Sequence, residues 1–246
     1  MNKTYAFTDL HGMYNLWEQI KNYCDDSDTL IFLGDACDRG EDGIKIIREL
    51  LNDPRVIYLK GNHEDMLAKV GQELLQEKTN NLQWWVSNGG KETARQFLSL
   101  DPQSQQWLLQ KINELPKTMN YTNTKGQDLF LSHAGCRPDL TEDEMEIMGY
   151  ATDPYIWDRK HITCPWPEGE EYENLYVVHG HTPTQTLRRS LTRDSAIIAT
   201  YANGHKIDLD IASFISCRVA LLDLDTLKIE KYFNDDETFK ETCVCD

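Results

Sequence analysis

Apolar and polar positions recur along the N-terminal part of the chain as a short apolar run, a polar turn and a helical pattern. The apolar runs Thr4-Tyr5-Ala6-Phe7, Thr29-Leu30-Ile31-Phe32-Leu33 and Val56-Ile57-Tyr58-Leu59 are typical of buried strands. Apolar residues at helical spacing follow the first two runs: Met13, Leu16, Trp17, Ile20 and Cys24, and then Ile44, Ile47, Leu50 and Leu51. Strand–helix units of about 25 residues predict parallel strands joined by right-handed crossovers. The three polar turns should therefore meet at one edge of a sheet.

Residues 64–115 are predicted to be mostly helical, because apolar residues recur there in helical stripes. Asp101 and Pro102 predict the start of one helix, as a capping residue and a proline at the first helical position. Trp84 and Trp85 are interpreted as a buried aromatic pair, since tryptophans are usually packing residues. The alternative is that they form a wall of a binding cleft.

Further apolar runs predict strands in the second half of the chain, at 129–131, 175–178, 196–198, 219–222 and 229–233. The last three are expected to be antiparallel and joined by short turns such as Asp225-Thr226. Thr141 and Glu144 predict a capping box. No linker rich in Gly, Pro or Ser interrupts the pattern. We therefore expect a single domain over residues 1–246, with the helical segment of about 64–115 beside the active site.

The composition narrows the class of partner. The formal charge is −16, from 41 acidic and 25 basic residues, and such a surface repels nucleic acid. No apolar run reaches the roughly 20 residues that cross a bilayer, and the first predicted strand leaves no room for an apolar leader. The seven cysteines are odd in number and lack CxxC spacing; Cys243 and Cys245 are interpreted as part of a frayed tail. We expect a cytoplasmic protein with neither nucleic-acid nor membrane partners.

The polar turns carry the candidate chemistry. Five of the seven histidines follow apolar strands directly: His11, His63, His133, His179 and His181. Asp9, Asp35 and Asn62 also come just after strands. A set of carboxylates, imidazoles and an amide suits two divalent transition-metal ions, and Asp35 is the natural bridge between them. Two such ions can activate a hydroxide and stabilise an in-line displacement at phosphorus.

Five motifs follow one another between residues 8 and 183: Asp9-x-His11, Gly34 to Gly40, Gly61-Asn62-His63-Glu64, His133-Ala134-Gly135 and Gly180-His181. Together they resemble the phosphoprotein phosphatase family of calcineurin-like metallophosphoesterases. They are most similar to the compact bacterial and lambda-phage-type serine/threonine protein phosphatases. The resemblance implies an α/β fold, a four-layer α-β-β-α sandwich of two mixed sheets flanked by helices. The strand–helix units up to about residue 63 would begin one sheet, and the late strands would complete the sandwich.

The resemblance also implies roles for ten residues. The first ion would be held by Asp9, His11 and Asp35, and the second by Asp35, Asn62, His133 and His181. Manganese is the expected metal, with iron, zinc, nickel and cobalt as alternatives. Arg39 and Arg159 would grip the phosphoryl oxygens, because a guanidinium fork matches phosphate geometry. His63, steadied by Asp38, would protonate the leaving oxygen. Outside these ten, His179 is interpreted as an outer partner of the ligands.

The expected function is hydrolysis of phosphomonoesters in phosphoproteins or phosphopeptides, on serine and threonine and also on tyrosine. One alternative is a symmetrical dinucleoside tetraphosphate hydrolase, for which Arg188-Arg189 could supply cations. Lys60, Lys91 and Arg137 are the other cations near the motifs, and they are not clustered. The second alternative is a non-catalytic module that binds phospho-ligands. A degenerate scaffold should have lost ligands, and none of the expected ligands is missing here.

Overall fold

The computed structural model describes residues 2–190 and 192–243. In this part of the chain the strands are β1 (Thr4–Phe7), β2 (Thr29–Phe32), β3 (Val56–Tyr58), β4 (Thr118–Thr122), β5 (Asp128–Ser132), β6 (Leu175–His179), β7 (Ala199–Tyr201), β8 (Lys206–Asp208), β9 (Arg218–Asp223) and β10 (Lys228–Asn234). The α-helices are α1 (Tyr14–Tyr23), α2 (Gly43–Asn52), α3 (Asn62–Leu75), α4 (Leu82–Trp85), α5 (Lys91–Ser99), α6 (Pro102–Glu114), α7 (Glu142–Ile147), α8 (Pro154–Trp157), α9 (Thr184–Arg188), α10 (Ser213–Ser216) and α11 (Asp236–Cys243).

The strands form two mixed sheets of five strands each. The first sheet has the order β10-β9-β1-β2-β3, and the second has the order β4-β5-β6-β8-β7. In the first sheet β1, β2 and β3 are parallel, whereas β9 and β10 are antiparallel to their neighbours. In the second sheet β5, β6 and β8 are parallel. The carboxyl ends of β1, β2 and β3 therefore meet at one edge, as the strand–helix pattern predicts.

Alternate residues of β2 show why the sheets stack. Leu30 and Phe32 pack with the helices on the outer face, whereas Ile31 packs with Leu131 and Val178 of the second sheet. Both faces of the strand are covered, so its run is apolar throughout. The second sheet is covered in turn by helices; for example, Phe130 of β5 lies 5.6 Å from the ring of Tyr155 in α8. The predicted four-layer α/β sandwich is confirmed.

The helical segment between β3 and β4 is also confirmed, as helices α3 to α6. Asp101 caps α6 as predicted, because its carboxylate accepts the backbone N–H groups of Gln103 and Ser104, each at 3.0 Å. The capping box of Thr141 and Glu144 opens α7. The interpretation of a buried aromatic pair holds for Trp85 alone. Trp84 is 38% exposed and stacks on the ring of Trp157.

One expectation about the late strands is wrong. The run at 196–198 is not a strand; a 3-10 turn at Arg193–Ser195 precedes it, and β7 begins only at Ala199. The other is confirmed for β9 and β10, which are antiparallel and are joined by the short turn that contains Asp225 and Thr226. The late strands divide between the two sheets. β7 and β8 extend the second sheet, whereas the hairpin of β9 and β10 extends the first beside β1. Strands β4 and β8 carry too many polar residues to give an apolar run, so the pattern did not predict them.

None of the helices in the described part of the chain combines the length and the apolar composition that crossing a bilayer requires. Cys245 lies outside the described residues, so the interpretation of a frayed tail there stays a prediction.

Candidate metal centre

The six predicted ligands lie at the ends of the strands, and all are buried: Asp9, His11, Asp35, Asn62, His133 and His181. Two loops of the first sheet, the first turn of α3 and two loops of the second sheet supply them. The fold therefore brings ligands from both halves of the chain together at the ends of the strands of the two sheets.

Asp9, His11 and Asp35 converge as predicted for the first ion. Nε2 of His11 lies 3.6 Å from Oδ2 of Asp35 and 3.7 Å from Oδ1 of Asp9. His63, which the resemblance assigns to proton transfer, lies close to the same group, with its Nε2 3.8 Å from Oδ2 of Asp35.

The second group forms on the other oxygen of Asp35. Nε2 of His133 lies 3.4 Å from Oδ1 of Asp35 and 2.9 Å from Oδ1 of Asn62. Nδ1 of His181 lies 3.2 Å from Nε2 of His133 and 2.8 Å from Oδ1 of Asn62. Asp35 thus presents one carboxylate oxygen to each group, which is the arrangement that a bridging ligand requires.

Hydrogen bonds behind the ligands orient two of the imidazoles. Nδ1 of His11 lies 3.0 Å from the carbonyl oxygen of Cys37, and Nδ1 of His133 lies 3.0 Å from that of Leu33. Donation from Nδ1 leaves the Nε2 lone pair directed into the centre, as metal-binding histidines require. The donor set of carboxylate, amide and imidazole therefore fits two divalent transition ions.

The two carboxylates of the centre differ in their electrostatics. Burial raises the pKa of Asp9 well above its usual value, and the neighbouring Asp210 carboxylate adds to this effect. Burial also acts to raise the pKa of Asp35, but the imidazoles of His133 and His63 outweigh it and hold that pKa well below its usual value. Asp35 therefore stays ionised near neutral pH, the form in which a carboxylate can bridge two cations.

The imidazoles differ as well. Burial lowers the pKa of both His11 and His181, and the Arg39 guanidinium lowers that of His11 further. Both rings are therefore neutral, the form that binds metal. Burial would also lower the pKa of His133, but the attraction of Asp35 outweighs it and raises this pKa to about 9. His133 must therefore release a proton near neutral pH before it can bind an ion.

The carboxylate of Glu64 joins two loops around the predicted metal centre by hydrogen bonds. This fully buried side chain accepts the backbone N–H groups of Asp35 and Ala36, both at 2.8 Å. It also accepts the N–H of Gly61 and the hydroxyl of Tyr58, both at 2.9 Å. The sequence places Glu64 in a motif, but we assigned it no role from the sequence. Its position three residues after Gly61, where it closes a capping box, is the signal that could have found it.

His63 and Asp38 form the pair that the resemblance implies. Nδ1 of His63 lies 2.7 Å from Oδ2 of Asp38, and both side chains are buried. The same oxygen accepts the indole N–H of Trp85 at 2.8 Å. The sequence did not identify this role for Trp85, because nothing local connects it to Asp38.

The two predicted phosphate-binding arginines lie beside the two groups of ligands. Arg39 contacts His11 and His63, with its Nη1 2.5 Å from Nε2 of His11 and its Nη2 3.2 Å from Nε2 of His63. Arg159 is exposed and donates to the carbonyl oxygen of His181 at 3.2 Å. An ion on His11 would need the same Nε2 lone pair, so Arg39 must leave that nitrogen when the metal binds.

Strained backbone marks the site. Six of the ten predicted residues have φ between 44° and 70°, in the left-handed region: Asp9, His11, Asp35, Asp38, Arg39 and His181. Such conformations cost on the order of 1–3 kcal/mol each and cluster at functional sites. Two glycines allow the close packing around the carboxylates. A Cβ at Gly61 would lie 2.2 Å from Oδ1 of Asp35, and one at Gly180 would lie 2.2 Å from Oδ2 of Asp9.

His179 lies just outside the ligands. Its Nδ1 lies 2.9 Å from the carbonyl oxygen of Gly180, and its Nε2 contacts the hydroxyl of Tyr201. Its ring nitrogens hydrogen-bond to no side chain of a predicted ligand in the described structure. Any support that it gives to His181 therefore passes through the backbone of Gly180.

Comparisons with known proteins agree with this geometry. The family model of the calcineurin-like phosphoesterases matches residues 3–208. Serine/threonine-protein phosphatase 2 of Salmonella typhimurium is 37% identical over 176 residues, which cover 70% of this chain and 72% of that protein. The asymmetrical bis(5'-nucleosyl)-tetraphosphatase PrpE of Oceanobacillus iheyensis is 26% identical over 197 residues, which cover 71% of this chain and 75% of that protein.

Two solved structures share the fold. A crystal structure of a proposed diadenosine tetraphosphatase has a TM-score of 0.60 at 18% identity, covering 94% of this chain and 93% of that one. The cold-active protein-tyrosine phosphatase of a psychrophilic Shewanella has a TM-score of 0.56 at 14% identity, and the match covers 92% of this chain and 76% of that one. The chain belongs to the calcineurin-like phosphoesterases, a family of hydrolases that depend on a dinuclear metal centre.

Proposed function

We propose that the protein is a phosphomonoesterase that acts on phosphoserine and phosphothreonine, and also on phosphotyrosine, in proteins or peptides. The observation that carries the chemistry is the position of Asp35, whose two oxygens each face one group of predicted ligands. The donor set suits divalent transition ions, and the resemblance favours manganese among them, with iron, zinc, nickel or cobalt as alternatives. When bound, two such ions supply Lewis acidity and lower the pKa of a water molecule.

The residues of the chain perform the remaining tasks in this proposal. Arg39 lies beside His11 of the first group and Arg159 beside His181 of the second, where their N–H groups can hold the phosphoryl oxygens. Asp38 fixes Nδ1 of His63, so Nε2 of the same ring is the nitrogen that can deliver a proton to the leaving oxygen. A departing alkoxide needs that proton because it is a poor leaving group.

The surroundings of Arg39 support a monoester substrate. A cleft of about 440 Å³ is lined by Arg39 and Phe214, and three acidic residues also line it: Glu41, Asp42 and Asp235. Arg39 is the cation among the described residues that line it. Such walls are unfavourable for a polyphosphate, and the net charge of −16 repels one at long range.

Two of the other cations near the motifs already have partners. Arg188 donates to the carbonyl oxygens of Ile197 and Ile198, at 2.7 and 2.6 Å. Arg137 forms an ion pair with Asp139. These contacts weaken the case for a cationic site that could bind a bridging tetraphosphate.

Hydrolysis of a dinucleoside tetraphosphate is the second candidate, because a relative of similar coverage is named for it. The sequence suggested the symmetrical reaction, whereas that relative is named for the asymmetrical one. A non-catalytic binding module is disfavoured, since all ten predicted site residues are present and the family consists of hydrolases. We also propose that the protein acts in the cytoplasm, with no nucleic-acid or membrane partner.

The test is a comparison of kcat/KM for a phosphopeptide and a dinucleoside tetraphosphate, at fixed manganese and salt. We expect the phosphopeptide to be preferred. A tenfold preference for the tetraphosphate, equivalent to about 1.4 kcal/mol of transition-state binding, would overturn the proposal. Product analysis would then separate the symmetrical reaction, which gives two nucleoside diphosphates, from the asymmetrical one, which gives a triphosphate and a monophosphate. Loss of that preference after Arg188→Ala and Arg189→Ala together would locate the polyphosphate site.

A further inference from the structure

We infer that Phe214 is a positioning residue that holds Arg39 in place to bind phosphate. The guanidinium carbon of Arg39 lies 4.3 Å from the centre of the Phe214 ring. The same ring meets the imidazole of His11 edge-on, with 5.5 Å between the ring centres. Phe214 was not identified from the sequence. The inference rests on the proposed function, because it assumes that Arg39 binds the phosphoryl group.

The short helix that carries Phe214 is attached to the predicted metal centre. The residue belongs to α10, a single helical turn between β8 and β9. Residues Ala212 and Cys217 on either side of this turn have φ of 51° and 50°. The hydroxyl of Ser213 donates to the backbone carbonyl of Asp9, so the helix that carries Phe214 is attached to the loop that carries a predicted ligand. The backbone and this hydrogen bond place the ring beside both Arg39 and His11.

Arg39 needs such a support. Its backbone is held, because its N–H donates to the carbonyl oxygen of Gly89 at 2.9 Å. Among the described residues its guanidinium contacts the rings of His11, His63 and Phe214. The Asp210 carboxylate also interacts with it electrostatically, but no hydrogen bond or ion pair joins the two in the described structure. The side chain between backbone and guanidinium is flexible, so these ring contacts determine where the N–H groups point.

The phenylalanine is the contact that can persist during the reaction. Nε2 of His11 is the predicted ligand atom for an ion, and Nε2 of His63 is the predicted proton donor, so both nitrogens have other uses. The face of Phe214 has no competing use. An aromatic face stabilises a guanidinium by cation–π attraction and leaves the N–H groups at its edge free for two phosphoryl oxygens.

The experiment compares Phe214→Leu and Phe214→Tyr with a matched control, Ile215→Ala, on the same turn. Ile215 is 45% exposed and is not among the ring contacts of Arg39. We expect Phe214→Leu to lower kcat/KM for phenyl phosphate about tenfold and to raise the inhibition constant of inorganic phosphate by a similar factor. Phe214→Tyr and the control should stay within about twofold, because each keeps an aromatic face under Arg39.

A double-mutant cycle then shows whether Phe214 acts through Arg39. In an Arg39→Ala background, the further change Phe214→Leu should lower kcat/KM less than about twofold, because the effects of coupled residues are not additive. If Phe214→Leu still lowered kcat/KM about tenfold in the Arg39→Ala background, the inference would be overturned. A loss of kcat/KM in Phe214→Tyr equal to that in Phe214→Leu would also overturn it. Bound metal and unfolding temperature are measured in each variant. Loss of metal in Phe214→Leu would show that the ring acts through His11 instead, and would also overturn it.

The cycle separates this inference from the proposed function. If Arg39→Ala alone leaves kcat/KM and phosphate inhibition unchanged, the proposed role of Arg39 fails, and this inference fails with it. If Arg39→Ala causes a large loss and Phe214→Leu causes none, only the inference about Phe214 fails. The rise in unfolding temperature caused by inorganic phosphate gives a second readout that does not depend on turnover.

Discussion

Trp85 and Asp38 are joined by a hydrogen bond of 2.8 Å, from the indole Nε1 to the carboxylate oxygen that also holds His63. Both side chains are fully buried. Because one oxygen serves both partners, the indole N–H limits how the carboxylate can rotate and so helps to fix the imidazole. The tryptophan is therefore part of the apparatus that orients the predicted proton donor.

We predict that Trp85→Phe slows esters with poor leaving groups more than esters with good ones. Loss of one hydrogen bond to the carboxylate is worth about 1 kcal/mol, or roughly fivefold in rate, where proton transfer limits the reaction. The measurement is kcat for phenyl phosphate and for dinitrophenyl phosphate. His63→Asn should show the same selectivity with a larger loss, on the order of 10²-fold or more for phenyl phosphate.

The control for this prediction is Trp84→Phe, since Trp84 is 38% exposed and stacks on Trp157. It should leave the ratio of the two rates unchanged. If either variant, Trp85→Phe or His63→Asn, slowed both esters by the same factor, the residue changed in that variant would not serve proton transfer. The metal content of His63→Asn must be verified, because Asn62 is a predicted ligand.

Glu64→Gln should destabilise the centre. The carboxylate accepts four hydrogen bonds, and a glutamine would present its NH₂ group to donors that need an acceptor. We expect a loss of about 1–3 kcal/mol in the free energy of unfolding, together with weaker manganese binding. Denaturant unfolding and metal titration measure the two effects.

Glu114→Gln is the matched control for Glu64, because Glu114 is exposed and its partners among the described residues, Gln110 and Lys111, lie on its own helix. Surface pairs of this kind contribute little to stability. Equal stability of Glu64→Gln and Glu114→Gln would show that the four hydrogen bonds do not hold the loops together.

Removal of the metal should abolish activity. For the same reason, Asp35→Asn should lose more activity and more bound metal than His11→Gln. Asp35 faces both groups of predicted ligands, whereas His11 faces one. The measurements are turnover after chelation, turnover after manganese is restored, and bound metal per chain in each variant. Undiminished turnover in stripped protein would contradict the metal requirement. Equal, mild losses in the two variants would contradict bridging.

Manganese binding to the stripped protein should strengthen as the pH rises toward 9. The pKa of His133 is raised to about 9 by Asp35, so the ring carries a proton at neutral pH. Below that pKa each unit of pH lost should weaken binding up to about tenfold, because the ion must displace the proton. Above it the dependence on this group should disappear.

Calorimetric titration in two buffers of different ionisation enthalpy counts the protons released at pH 7. At least one proton per chain is expected for the second ion. Binding of two ions with no proton release, and with constant affinity between pH 6 and 9, would exclude His133 as a protonated ligand position.

The order of apolar runs and polar turns is enough to locate the candidate chemistry along the chain. Asp9, Asp35 and Asn62 each follow an apolar run, and a run of that kind becomes a strand through local pattern and burial on both faces. Parallel strands with short crossovers have one possible edge for their polar turns, so the grouping of these residues follows from chain order and handedness. The grouping of these three residues could be predicted for that reason, whereas the full set of ligands, with His133 and His181 from the second sheet, came from the resemblance.

Packing between distant elements determines which further side chains complete the site. Trp85 reaches Asp38 from 47 residues away, and Phe214 reaches Arg39 from a turn between two strands with no distinctive pattern. The hairpin of β9 and β10 joins the first sheet instead of the second, which places α10 beside the loop of Asp9. Hydrophobic periodicity reports only which face of an element is buried. Partners across the fold depend on packing between elements, which no local pattern encodes.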